Sequence, residues 1–155
     1  MVIPLFAALL LLSGCPYSSS VPLSESTMKI PDSFIGEWEL SGASDGDKVI
    51  VRRTSVSTVD IIKVSGVDNS ETTYAGHLTD INGELFLNLK ESGDFGSFYF
   101  YKLKRDGDFK ITLLPVTSYI RETFESSEEM KKFFEKNSGN SYFYTTDEET
   151  YYKTK

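Results

Sequence analysis

The side chains in this sequence that could do chemistry are few and poorly spaced for catalysis. An ordinary zinc site needs several nitrogen and sulfur ligands. The chain has one histidine, His77, and one cysteine, Cys15. Nucleophilic catalysis needs a base beside a nucleophile and an acid that orients the base. His77 and Asp80 stand three residues apart in an extended run, so their side chains point to opposite faces. No serine sits in a Gly-x-Ser-x-Gly turn. Asp45, Asp47, Asp106 and Asp108 flank glycines. No calcium loop of about twelve residues surrounds them, and turns demand the same residue types. Glu128-Glu129 falls where a helix should begin, a place that favours negative charge, and Glu148-Glu149 reads as an exposed turn. These patterns predict a protein that is not an enzyme and needs no cofactor or metal.

Cys15 has a use of another kind. Val2–Leu12 is an almost unbroken apolar run. As a helix it would rise about 16 Å, too short for a hydrocarbon core of about 30 Å but suited to the core of a signal peptide. Leu12-Ser13-Gly14-Cys15 follows directly and resembles the lipobox of bacterial lipoproteins, an aliphatic residue and two small ones before a cysteine. The resemblance implies cleavage before Cys15, diacylglycerol on its thiol and a further acyl group, such as palmitate, on the freed amine. Two or three chains anchor stably where one binds only marginally. The implied partner is a membrane, reached through that lipid, and the implied address is the cell envelope. That means the outer membrane facing the periplasm in a Gram-negative cell, or the outer face of the cytoplasmic membrane in a Gram-positive one. Two departures from the family stand out: no Lys or Arg precedes Cys15, and Pro16 follows it.

The elements that must position everything else are read from composition and periodicity. A length of 155 residues asks for one domain, and 25% charged residues is ordinary for a globular chain. A net charge of −7 excludes nucleic acid, which needs a clustered cationic surface, and gives no attraction to anionic headgroups. Residues 1–14 read as the signal peptide and residues 15–28 as the lipidated cysteine with a Ser/Pro-rich flexible tether. Residues 29–155 read as the domain.

Within that domain, eleven Phe and nine Tyr favour strands. Runs at Phe34–Ser41, Val49–Arg53, Thr58–Val64, Thr72–Thr79, Glu84–Lys90, Phe98–Tyr101 and Phe109–Val116 are separated by glycine-bearing turns. Asn82-Gly83 is the strongest hairpin signal among them. Phe98-Tyr99-Phe100-Tyr101 is aromatic on both faces, which predicts a strand covered on both sides. One late helix starts at a capping box, Ser126 with Glu129, and stops at Asn137-Ser138-Gly139, with Gly139 available for a left-handed cap. Met130, Phe133 and Phe134 share its apolar face. A final hairpin is expected from Tyr142–Thr146 and Tyr151–Lys153. The sum is an all-β antiparallel barrel or sandwich with one late α-helix.

Gly36-x-Trp38, at the start of the first strand, resembles the motif that opens the first strand of lipocalins. That resemblance implies an up-and-down barrel with Trp38 plugging its closed end. It also implies a late-strand cation over the indole, for which only Lys153 or Lys155 is available. The inward aromatic residues expected to line the barrel are Tyr74, Phe98, Phe100, Tyr119, Phe143 and Tyr151. An interior of that kind is either filled or holds a small apolar molecule. The expected function is therefore a non-catalytic envelope lipoprotein that binds a small apolar ligand. The alternative is a structural or inhibitory envelope protein that binds another protein through its surface.

Overall fold

Runs of alternating apolar and polar residues, cut by turns that need left-handed backbone, leave the chain one economical arrangement, a meander. The computed structural model describes residues 17–42, 46–93, 96–117 and 119–155. Cys15, the lipobox and the apolar leader lie outside the described residues. A two-residue β1 (Ser18–Ser19) precedes β2 (Gly36–Leu40), β3 (Lys48–Arg53), β4 (Val59–Val64), β5 (Glu71–Ile81), β6 (Glu84–Glu91), β7 (Phe98–Asp106), β8 (Lys110–Pro115) and β9 (Glu149–Lys153). Each strand from β2 to β9 pairs antiparallel with the next, and β9 returns to β2. The result is a closed, lipocalin-like barrel, which leaves no long sheet edge unpaired.

The ends of the barrel differ. One carries the tight turns of the β3–β4, β5–β6 and β7–β8 hairpins and is closed by a 3-10 turn, Asp32–Phe34. The Asn82-Gly83 turn lies here with both φ angles positive, +55° and +83°, as its sequence predicts. Ile30 is tied to this end because its N–H donates to Val56 O at 2.9 Å. The opposite end is open, rimmed by the β2–β3, β4–β5 and β6–β7 loops and by the long excursion between β8 and β9.

That excursion holds α1 (Ser127–Asn137). Ser126 Oγ accepts from Glu129 N–H at 3.2 Å, satisfying a donor that the first helical turn leaves free. Met130 and Phe134 are buried against the outer wall of the barrel, where Phe86 and Phe100 point outward. Phe98–Tyr101 is thus covered on both sides, with Phe100 under the helix and Tyr101 facing the interior.

Three expectations need correction. Residues 17–28 are not a free tether: Tyr17 and Leu23 are buried on the outer wall, and β1 pairs with the rim end of β7. Leu23 N–H donates to Asn88 Oδ1 at 2.8 Å, and Tyr17 N–H donates to Val116 O at 3.1 Å. Two apolar side chains and paired backbone outweigh a serine-rich composition. Tyr142–Thr146 is not a strand: Ser141–Phe143 is a 3-10 turn, followed by a single bridge from Tyr144 to Val116. Gly139 is not left-handed, and the helix ends on right-handed Ser138, whose N–H reaches Phe134 O at 2.8 Å.

Candidate functional site

The barrel interior is the candidate site. Residues alternating along each strand bring Val49 and Val51 of β3, Val59, Ile61 and Lys63 of β4, and Leu78 of β5 to one space. Leu87 and Leu89 of β6, Tyr101 and Leu103 of β7, and Ile111 and Leu113 of β8 complete its wall. They enclose an almost wholly apolar cavity of about 90 Å³. That is smaller than the cavity of about 150 Å³ known to admit benzene, so it suits a chain of a few carbons. At the rim it meets a more polar vestibule of about 240 Å³, which shares Val49, Lys63, Glu149 and Tyr151 with it. Asp47, Lys48, Ser65, Ser70 and Thr72 line the outer part.

The floor explains the Gly36-x-Trp38 spacing. Gly36 has φ +139°, and a Cβ there would collide with the carbonyl oxygen of Lys155. Only glycine lets the C-terminal strand close over the start of β2. Two residues on, Trp38 points into the barrel, and its Nε1–H donates to Phe34 O at 3.1 Å. Lys153 pairs with Trp38 across the strands, places its Nζ 5.8 Å from the indole ring and donates to Ser33 O at 3.0 Å. Of the two cations left open by the sequence, the one over the tryptophan is Lys153. Arg105 covers the neighbouring Phe34 ring at 5.4 Å.

At the mouth, Tyr151 Oη donates to Glu149 Oε2 at 2.7 Å. Burial first, and then the Glu149 carboxylate, hold the Tyr151 phenol well above its ordinary range. Burial and the same carboxylate push Tyr101 up to about 12. Both phenols are therefore neutral hydrogen-bond donors at physiological pH. Lys63 lies over the Tyr74 ring at 5.5 Å. The arrangement can take an apolar group below and present one carboxylate, two phenols and one ammonium to a polar head above.

The six aromatics expected to line the interior divide sharply. Tyr151 lines it, and Tyr74 packs beside it at the rim. Phe100 and Phe143 belong to the outer cluster under the helix, Phe98 packs against that cluster beside His77, and Tyr119 is exposed. Four aromatics in a row carry no alternation, so parity could not be read from Phe98–Tyr101. The sequence places Glu149 in an exposed turn, and the structure does not. Glu149 opens β9 two residues before Tyr151, and that spacing puts both on one face.

His77 faces outward, yet it is not solvated. Ser24 lies over it, with its carbonyl oxygen 2.8 Å from His77 Nε2. Burial lowers its pKa, so the neutral ring with hydrogen on Nε2 fits this contact. Among the described residues, no group of three or more His, Cys, Asp or Glu side chains gathers where a metal could be held. No helix among them is long and apolar enough to cross a membrane. No protein-family model, curated protein or solved structure matches the chain.

Proposed function

We propose that this chain is a non-catalytic envelope lipoprotein, anchored through lipid on Cys15, whose barrel binds a small amphiphile. The observation that carries the binding reading is the apolar cavity of about 90 Å³ opening into a polar mouth at Lys63, Glu149 and Tyr151. Eight-stranded barrels either fill their interior or hold one small ligand. Here the space left fits a short alkyl group, while the neutral Tyr101 and Tyr151 phenols and the Glu149 carboxylate suit a head that both accepts and donates hydrogen bonds.

The apolar run ending at Leu12-Ser13-Gly14-Cys15 supports the anchor, and the anchor supports an address on the cell envelope. Native mass spectrometry of the protein, extracted gently from its own membrane fraction, tests the binding. An added mass of a few hundred daltons that disappears in Ile61→Phe supports it, and a bare protein mass in both refutes it. Labelled palmitate tests the anchor. Incorporation is expected in the wild type and lost in Cys15→Ala, and equal labelling would refute the lipidation.

A further inference from the structure

We infer that the open rim of the barrel is the surface held against the membrane, so that the mouth of the cavity faces the lipid headgroups. This rests on the anchor proposed above and adds an orientation to it.

The first observation is the path of the chain. Tyr17 N–H is bonded to Val116 O at 3.1 Å, and Ser18 and Ser19 pair with Tyr99 and Phe98. Val116 follows the last residue of β8 and Phe98 is the first of β7, so β1 lies on the rim half of the wall; it runs antiparallel to β7, which puts Tyr17 beside Val116, a short step below the rim. Only Pro16 separates Cys15 from Tyr17. Two residues of extended chain span about 7 Å. Acyl chains buried in a bilayer from Cys15 therefore draw this end, and not the closed end, to the surface. A free tether over residues 15–28 would have left the orientation open. Residues 17–28, docked on the outer wall as a strap, remove that freedom.

The second observation is independent of the cysteine. Tyr119 and Tyr142, with 88% and 75% of their surface exposed, stand near the same end, whereas the closed end exposes Val56 and Phe109, neither of which has a hydroxyl to keep wet. Tyr119 N–H bonds to Thr117 Oγ1 at 3.3 Å, while Thr117 N–H bonds to O of Phe143, the neighbour of Tyr142. Val67, 77% exposed, lies in the β4–β5 loop of the rim. Tyrosine favours the boundary between water and lipid, where its ring is covered and its hydroxyl stays wet. The rim also carries Asp68, Glu71, Glu91, Asp147 and Glu148 against Lys48, Lys90 and Arg121, so charge does not draw it to an anionic surface. The occupant that fits is a neutral phospholipid headgroup layer, reached by acyl chains and aromatic burial.

Nitroxide labels on the lipidated full chain in phosphatidylcholine vesicles test this. Cys15 is acylated in that form, so Val67→Cys, Tyr119→Cys, Val56→Cys and Phe109→Cys each offer one free thiol at an exposed site. Val56 and Phe109 sit in turns of the closed end. Labels at 67 and 119 are expected to collide several-fold more with oxygen than with a water-soluble nickel chelate, and labels at 56 and 109 to show the reverse. Protein that floats with the vesicles while its rim labels remain fully aqueous, or while its closed-end labels lie deeper, overturns the orientation and leaves the anchor standing. Protein that fails to float overturns the anchor and the orientation with it.

Discussion

The inside and the outside of this barrel are packed to different standards. On the outer wall, Leu23, Phe86, Phe100, Val116, Met130 and Phe134 are all fully buried. Phe134 meets Phe86, Phe100 and Phe143 edge to face at 5.6, 5.6 and 5.0 Å. Inside, Ile30, Leu78 and Trp38 near the floor are tightly buried, whereas Leu103, Ile111 and Tyr151 keep 9%, 9% and 7% of their surface around the cavity. Protein interiors normally close such gaps, because side chains beside a void lose dispersion contacts. The strap and the helix supply a second core outside the barrel, separate from the inner one that surrounds the cavity.

The largest effect expected from breaking this contrast is on the outside. Phe134→Ala should destabilise by about 3–5 kcal/mol in urea denaturation, the usual cost of emptying a well-packed aromatic site. Leu113→Ala, on the half-buried wall of the cavity, should cost less than about 2 kcal/mol. Equal losses would mean that the two regions are packed alike. Next comes the strap. Asn88→Ala leaves the buried Leu23 N–H without its acceptor, at a cost of about 1–3 kcal/mol. Amide exchange should then quicken over residues 17–27 while the Trp38 emission of the barrel floor stays put. Unchanged exchange would show that the strap is held by packing alone.

A smaller effect is expected from filling the interior. Enlarging a residue in a dense core costs about 1–3 kcal/mol, whereas Ile61→Phe grows into the cavity and should stay within about 1 kcal/mol of wild type. A larger penalty would mean that the cavity walls are already rigid and complete.

The smallest effects separate the regions by pH. His77, under the strap, has its pKa lowered by burial. A lowered cation pKa contributes stability above the unfolded value of about 6.5, and that contribution is lost as pH falls through the folded value. Strap exchange should therefore rise below about pH 6.5. The mouth responds at the other end of the scale. Tyr101 is raised to about 12, so its contribution is intact below about pH 10 and is lost between there and about 12. Ultraviolet phenolate titration with parallel exchange measurements checks both, and a strap unaffected by acid would remove His77 from the account.

Much of the barrel was legible in the sequence because its signals are local. Asn82-Gly83 specifies its own turn, Ser126 and Glu129 cap their own helix, and Gly36 is tied to Trp38 two residues away. The strap was not legible, because what orders it lies far along the chain. Leu23 depends on Asn88, sixty-five residues on, and Ser24 on Thr79, fifty-five on. A serine-rich stretch without periodicity looks the same whether or not such partners exist. The lining was half legible for a related reason. Tyr151 alternates with polar neighbours, while Phe98 and Phe100 stand in an unbroken aromatic run that declares burial but not direction.

The central claim is that the interior is kept open for an apolar guest. Trp38 is the only tryptophan and lies against that space, so its emission reports directly on occupancy. Titration with 1-butanol should shift the Trp38 emission saturably in the wild type and leave it unmoved in a folded Ile61→Phe variant. Emission that never saturates in the wild type, or that shifts equally in both proteins, would contradict the claim.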